Sequence, residues 1–299
     1  MIQLDDYRDL ISLDVPFTPP ALPPSMTDGA GDHDALIGVL NQYLREENSP
    51  LPMPGRNRIH TAREELYARL IARPPDPLPE WFQNKLDVLL QWELQQRDVM
   101  DASDMAGEVL AGNLALWQGD ITQLRVDAIV NAANAQLLGC FVPFHLCIDN
   151  VIHTAAGPRL RADCALIMQA QGTPEPTGNA KITRAYNLPS RFVLHTVGPI
   201  YDGSPADYVA NVASLTQRSE LASCYVSCLN VAHEIPAIQS IAFCNISTGV
   251  FGFPKQAAAE IAVRTVQQWA ADHPGRFGLL IFDVFDAGDH VIYQSILAG

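Results

Sequence analysis

The feature that most constrains the fold is the alternation of apolar strands with helical segments after about residue 112. The strand segments are continuous apolar runs, and such runs are typical of strands that are buried on both faces of a sheet. Their order predicts an α/β fold, with a mostly parallel sheet and helices on both faces. The predicted strands are 114–117, 128–130, 192–197, 238–243 and 277–285, and the predicted helices are 148–171, 214–232, 255–271 and 289–297.

The first third of the chain has a different composition. Twelve of the 22 prolines fall before residue 80, and residues 15–34 are predicted to be irregular or extended. Apolar residues at helical spacing predict helices over 34–47, 61–72 and 80–100. We therefore divide the chain into an N-terminal helical extension, residues 1–107, and a sheet domain, residues 108–299. The extension is interpreted either as a structural cap or as an element that selects a partner or substrate.

The charge balance excludes several classes of partner. The chain carries 33 acidic and 19 basic side chains, a net charge of −14, so it repels nucleic acid and anionic membranes. No apolar run approaches the roughly 20 residues of a membrane span, and the acidic start does not resemble a signal peptide. We expect a soluble cytoplasmic protein without nucleic-acid or membrane partners. Because basic side chains are scarce, an anionic ligand would be held by backbone N–H groups and helix N-termini.

Three polar segments follow predicted strands, where ligands of parallel sheets bind. Gly119-Asp120-Ile121-Thr122 offers a carboxylate that either accepts from an exocyclic amine or caps a helix. Asn131-Ala132-Ala133-Asn134 offers two amides for a hydroxyl-rich ligand, or forms a turn. Ile246-Ser247-Thr248-Gly249-Val250-Phe251-Gly252 either cradles a phosphate with its N–H groups or makes a tight connection.

Taken in order, these segments resemble the motifs of a macrodomain. The resemblance rests on five segments and covers about residues 108–299; the segments are 119–134, 152–157, 177–183, 195–199 and 246–252. It implies a three-layer α/β/α sandwich, with a mixed and mostly parallel sheet, that binds ADP-ribose. The small helical region would precede this sandwich.

The resemblance also assigns roles to individual residues. It implies that Asp120, with Ile121 beside it, and the aromatic Phe285 lie at the adenine, and that Asn134 faces the distal ribose. Asp149 occupies the position of an aspartate that hydrolytic macrodomains carry near that ribose. The diphosphate would be bound by the loop made of Ser247, Thr248, Gly249, Val250 and Phe251.

One segment departs from the usual macrodomain pattern and carries a potential metal site. Where other macrodomains have a run of glycines, this chain has Cys140, His145 and Cys147. Two thiolates and an imidazole suit Zn²⁺, whereas by spacing alone the group is equally compatible with a core cysteine pair. The resemblance here is to the zinc-dependent macrodomains, which also carry an N-terminal helical extension. His153 is predicted to be a packed helix residue, and the other four cysteines are predicted to be buried: Cys164, Cys224, Cys228 and Cys244.

The resemblance implies a zinc-dependent glycosidase that hydrolyses mono-ADP-ribose from modified proteins, at Asp or Glu side chains. Asn134 would orient the distal ribose, and Asp149 would position or deprotonate the attacking water. The alternatives are a non-catalytic ADP-ribose reader and a hydrolase of O-acetyl-ADP-ribose. The expected partners are ADP-ribose and mono-ADP-ribosylated proteins, together with a sirtuin-like transferase whose modification the protein would reverse.

Overall fold

The computed structural model describes residues 1–23, 30–49, 51 and 59–298. Helices and strands alternate after residue 112, as predicted. The helices are α1 Leu4–Tyr7, α2 Ala30–Glu46, α3 Ala62–Ala72, α4 Glu80–Gln95, α5 Ile148–Ala156, α6 Pro158–Gln171, α7 Pro205–Val209, α8 Leu215–His233, α9 Lys255–Asp272 and α10 Ala287–Leu297. The strands are β1 Met100–Asp101, β2 Val109–Ala111, β3 Leu114–Gln118, β4 Leu124–Arg125, β5 Ala128–Ala133, β6 Ala180–Arg184, β7 Phe192–Val197, β8 Ser240–Phe243 and β9 Leu279–Val284.

A seven-stranded sheet forms the centre of the sheet domain. Its strand order is β2-β3-β9-β8-β5-β7-β6. The five inner strands from β3 to β7 run parallel to one another, and both edge strands, β2 and β6, are antiparallel to their neighbours. The carboxyl ends of the inner strands therefore open on one edge of the sheet, where the polar segments collect. The prediction of a mixed, mostly parallel sheet is confirmed.

The predicted helix 148–171 is wrong in one respect, because it is two helices. Gly157 separates α5 from α6 with a φ of +87°, a conformation that L side chains rarely adopt. A Cβ at this position would also lie 2.9 Å from Leu90 Cδ1 of the helical extension. The break therefore turns the chain and lets α4 pack closely against the sheet domain.

The helical extension has its own apolar core. Thr61 caps α3 in a capping box with Glu64, as the predicted boundary requires. Helix α4 ends at Gln95 rather than at residue 100, and α2 begins at Ala30, inside the segment predicted to be irregular; residues 24–29 of that segment lie outside the described part. The buried apolar residues of this core are Ile37, Leu40, Leu44, Leu66, Leu78, Phe82, Leu86, Leu89 and Leu90.

The first residues of the chain do not join that core. Leu4, Tyr7, Ile11 and Leu13 are buried in the core of the sheet domain, and the Tyr7 hydroxyl accepts a hydrogen bond of 2.9 Å from the N–H of Ile182 in β6. The chain thus begins against the sheet, leaves it to form the helical core and returns. Among the described residues, none of the helices is both long and apolar enough to cross a membrane.

Candidate active site

A cleft of about 650 Å³ lies at the carboxyl ends of β5, β8 and β9. It brings together most of the site residues that the sequence predicted. The predicted residues that line it are Asn134, Cys140, His145, Cys147, Asp149, Ser247, Thr248, Gly249, Val250, Phe251 and Phe285. Two of the predicted residues, Asp120 and Ile121, do not belong to this lining.

Three potential metal ligands converge in residues 140–147, the second part of the loop between β5 and α5; this segment is here called the metal loop. One ligand atom each of Cys140, His145 and Cys147 lies within 4.8 Å of the others, and Cys140 Sγ is 3.6 Å from His145 Nδ1. All three are half-buried and line the cleft. Burial and the neighbouring Cys140 thiol raise the pKa of Cys147 to about 11, so a bound cation would displace protons from this site.

The donor set of the metal loop fits Zn²⁺. Zinc accepts thiolate and imidazole ligands in tetrahedral geometry, and these three donors are already close enough to share one ion after small side-chain adjustments. Three protein ligands leave one coordination position for water or substrate, the arrangement found in catalytic rather than structural zinc sites. All three residues line the cleft, so an ion held by them would be open to the cleft.

Asn134 and Asp149 lie next to the metal loop. Asn134 Nδ2 donates to the carbonyl of Gly139 at 3.1 Å and to Asp149 Oδ2 at 3.4 Å, while its Oδ1 accepts from the N–H of Gln136 at 2.9 Å. Asp149 Oδ1 accepts from Asn131 at 2.8 Å. Burial raises the pKa of Asp149 to about 6, against the lowering effects of Asn131 and the positive charge of Arg161.

Two buried histidines lie behind these residues. His153 is buried, as predicted, with Nε2 at 3.4 Å from Asp149 Oδ1. His195 contacts Asn131 through Nδ1 at 3.2 Å and Thr183 through Nε2 at 2.9 Å. Burial lowers the pKa of both histidines, that of His195 to about 3, so both are neutral. The four remaining cysteines are buried, as predicted.

The segment after β8 has the geometry of an anion-binding loop. Ser247 has a φ of +67°, and its buried Oγ lies so close to Gly198 that a Cβ there would be 2.0 Å away. The N–H groups of Gly249, Val250 and Phe251 make no hydrogen bond with the described residues. They lie at the cleft before α9 and are available to phosphate oxygens.

The comparisons with known proteins agree with this architecture. The sequence model of the Macro domain matches residues 130–262. A protein-ADP-ribose hydrolase of Treponema medium is 47% identical, over 87% of this chain and 97% of that protein. The chain belongs to the macrodomain family. A protein-ADP-ribose hydrolase of Staphylococcus aureus strain MRSA252 is 43% identical, over 86% of this macrodomain chain and 92% of its own length.

Solved structures support the same assignment. A Trypanosoma brucei macrodomain in complex with ADP-ribose superposes with a TM-score of 0.56 and is 28% identical. The match covers 77% of the present macrodomain chain and 94% of the trypanosome chain. The predicted macrodomain fold is therefore confirmed.

Of the residues predicted to contact adenine, only Phe285 lies directly at the cleft of the macrodomain. Asp120 caps the 3-10 turn Ile121–Gln123 and accepts from the N–H and the hydroxyl of Thr122 at 3.0 and 2.7 Å, which confirms the capping interpretation. The Ile121 side chain is buried in the core, so only its backbone is left to contact a ligand. Phe285 follows β9 and is 79% exposed at the cleft, where its ring face is accessible.

Several residues of the cleft were missed by the sequence analysis. Lys255 binds Asp286 at 2.9 Å and Asp289 at 2.8 Å, and Asp283 is buried nearby with its pKa raised by burial and by the charge of Asp120. Among the described residues that line the cleft, Lys255 is the only Lys or Arg. Asp283 had a signal in the sequence, because it lies near the end of a predicted apolar strand. Lys255 had no local signal, because its contacts join segments that are distant in sequence.

Proposed function

We propose that this macrodomain is a zinc-dependent hydrolase that releases mono-ADP-ribose from modified proteins. The observation that carries the proposal is the convergence of Cys140, His145 and Cys147 beside Asn134 and Asp149 in one cleft. The relatives that share about 90% of their length or more with this chain are named protein-ADP-ribose hydrolases, which supports the same activity here.

ADP-ribose would lie along the cleft. Its diphosphate would accept hydrogen bonds from the N–H groups of residues 249–251, which fits the shortage of basic side chains around the cleft. The exposed ring of Phe285 would stack on adenine, with Asp120 and the backbone of Ile121 at the edge of the base. The distal ribose would then reach Asn134 and the metal loop.

The metal loop would hold zinc through Cys140, His145 and Cys147. When bound, the ion would supply Lewis-acid polarisation of an oxygen of the distal ribose or of the ester. Asn134 would orient the ribose hydroxyls, because its own amide is fixed by Gly139 and Gln136.

Asp149 is suited to position the attacking water. Its Oδ1 is occupied by Asn131 at 2.8 Å, whereas its Oδ2 has only the longer contact with Asn134 at 3.4 Å among the described residues. The Oδ2 atom is therefore the one that would orient a water at the anomeric carbon and accept its proton. A carboxylate is a better leaving group than an amide nitrogen, so we propose that the substrate linkage is the ester to Asp or Glu.

The test is release of ADP-ribose from a protein that is mono-ADP-ribosylated on Asp or Glu. We expect release by the parent protein, loss of release with a zinc chelator and loss in Cys140→Ala. Cys228→Ala is the matched control, because Cys228 is fully buried in α8, away from the cleft lining. If the protein bound ADP-ribose but did not release it from the modified protein, it would be a non-catalytic reader. If O-acetyl-ADP-ribose were hydrolysed faster than the modified protein, the metabolite would be the preferred substrate.

We also propose a sirtuin-like ADP-ribosyltransferase as the enzyme whose modification is reversed. This part rests on the resemblance to zinc-dependent macrodomains. It is tested by using a protein modified by such a transferase as the substrate in the same release assay; resistance of that substrate would contradict it.

A further inference from the structure

The metal loop is packed against the helical extension. Tyr67, on α3, lies with its ring centroid 5.1 Å from that of Phe144 in the loop. The Tyr67 hydroxyl accepts a hydrogen bond of 2.9 Å from Asn150 Nδ2. A single side chain of the extension thus contacts both the loop and the first turn of the helix that follows it.

Asn150 extends this contact to the backbone of the loop. It is completely buried in α5, and the same Nδ2 lies 2.9 Å from the carbonyl of His145 and 3.3 Å from that of Val142. Because an amide nitrogen carries only two hydrogens, the three acceptors share them. The Tyr67 hydroxyl is thus one of the three acceptors that orient this amide, and another is the carbonyl of His145, a proposed metal ligand.

Arg161 makes a second connection between the extension and the loop. This buried side chain of α6 donates through Nη1 to the carbonyls of Leu70 and Ile71 at 3.1 Å and of Arg73 at 3.0 Å. These are carbonyls at the C-terminal end of α3, where helices lack intrahelical partners. The guanidinium carbon lies 4.6 Å from the ring centroid of Phe141 in the metal loop, so the end of α3 and the loop share one cation.

The loop needs such support because its backbone is strained. Phe144 has a φ of +62°, a left-handed conformation that is unfavourable for a bulky residue. Conformations of this kind persist where the surrounding structure imposes them. Here, the Phe144 ring packs against Tyr67, and the carbonyl of the next residue, His145, is held by Asn150.

We propose that α3 of the helical extension holds the metal loop in its ligating conformation, with Tyr67 and Arg161 as positioning residues. The proposal rests on the proposed metal site and gives the extension a role in it. The extension would act on zinc affinity through the shape of the loop rather than by contacting substrate.

The test compares Tyr67→Phe, which removes only the hydroxyl, with the parent protein. Zinc affinity is measured by competition with a chromophoric chelator, and hydrogen exchange of the metal-loop amides is measured by mass spectrometry in metal-free buffer. Loss of a group that orients a metal ligand typically weakens binding by about 10- to 100-fold. We expect a weakening of about tenfold in Tyr67→Phe, with faster exchange in the metal loop. Arg161→Lys, which keeps the positive charge but loses the planar guanidinium group that lies over Phe141, should act in the same direction.

Two matched controls separate loop positioning from general loosening. Tyr43→Phe removes a hydroxyl of α2 that donates to Glu47, and Arg159→Lys alters the contact of α6 with Glu80 and Asp87 on α4. Both should leave zinc affinity and metal-loop exchange unchanged. Parental affinity and exchange in Tyr67→Phe and Arg161→Lys would overturn the proposal, as would equal effects in the controls.

The two readouts distinguish this proposal from the proposed function. If the parent protein binds no zinc, the proposed function loses its metal, while exchange in metal-free buffer still decides whether Tyr67 holds the loop. If the parent binds zinc but releases no ADP-ribose, hydrolysis fails, and the zinc affinities still decide the role of α3.

Discussion

The side-chain amide of Asn134 lies 3.4 Å from Oδ2 of Asp149, so the residue proposed to orient the ribose also contacts the residue proposed to position water. Asn134 directly follows β5, whereas Asp149 is in the first turn of α5. The metal loop lies between these two residues in the chain. A movement of the loop would therefore disturb Asn134, Asp149 and the potential metal ligands together.

Replacing Asp149 by Asn should slow hydrolysis much more than it weakens binding. The amide keeps the size of the side chain but cannot accept a proton, and loss of a general base typically costs 10²- to 10⁴-fold. We expect a fall in kcat of about that size, with the Kd for ADP-ribose changed little. Asp272→Asn, at the exposed end of α9, is the control. Parental kcat in Asp149→Asn would exclude the proposed role.

The protein should bind one zinc ion per chain at the metal loop. We expect Cys147→Ala to lose the metal and Cys164→Ala to keep it, as measured by elemental analysis of protein purified without added chelator. The control is informative because Cys164 belongs to another group of potential ligands, with His153 and His195, that is fully buried. Loss of zinc in Cys164→Ala but not in Cys147→Ala would show that the zinc is bound by the buried group instead of the metal loop.

Replacing Gly198 by Ala should weaken ADP-ribose binding. The added Cβ would lie 2.0 Å from Ser247 Oγ and would push the anion-binding loop out of place. We expect the Kd, measured by calorimetry, to rise about tenfold, or about 1.4 kcal/mol. Gly278→Ala is the matched control, since its Cβ would meet nothing closer than Gln239 O at 3.8 Å. Equal affinities of the two variants would contradict this account of the loop.

Asp163 should make the folded state less stable as the pH rises from about 4 to about 6. Burial raises the pKa of Asp163 from 3.8 to about 6, although the hydrogen bond from Tyr186 and the charges of Arg184 and Arg159 act to lower it. Between these two pH values the folded state therefore binds more protons than the unfolded state. The stabilisation that protonated Asp163 gives the folded state is fully present below the unfolded-state pKa of 3.8. It is lost as the pH rises through the folded-state pKa, and it amounts to about 3 kcal/mol at most.

The measurement for Asp163 is urea unfolding of the parent and of Asp163→Asn between pH 4 and pH 7. The free energy of unfolding of the parent should fall more steeply between pH 4 and pH 6 than that of the variant. The difference between the two proteins should go on changing as the pH passes the folded pKa and should level off only near pH 7. Parallel curves across the whole range would show that Asp163 does not titrate in this window.

The elements that were predicted correctly are those whose signal is local. The strand 192–197 coincides with β7, and Thr61 caps α3 where its sequence indicated. Strand β6 was missed because Lys181 and Thr183 interrupt its apolar residues; both are buried, and Lys181 is paired with Glu175 at 2.9 Å. The break at Gly157 has a local signal in Gly157-Pro158, but the helical spacing on either side outweighed it.

The candidate site was predicted to a similar extent. The potential zinc ligands lie within eight consecutive residues, but their spacing alone was equally compatible with a metal site and with a core cysteine pair. The resemblance to zinc-dependent macrodomains was what favoured the metal. The contacts of Tyr67 with Asn150 and of Arg161 with the end of α3 join residues 83 to 91 positions apart. No periodicity or motif records such contacts, because they depend on how the extension docks on the sheet domain.

The path of the first residues has a consequence for dissecting the protein. Tyr7, Ile11 and Leu13 fill part of the core of the sheet domain before the chain enters helices α2 to α4 of the extension. A fragment starting at residue 108 would lose these side chains and leave a hole beside β6, together with an unpaired Ile182 N–H. A shortened protein that keeps the core of the sheet domain intact would need residues 1–17 joined by a linker to residue 100. Helices α2 to α4 would then be deleted like an insertion in a surface loop.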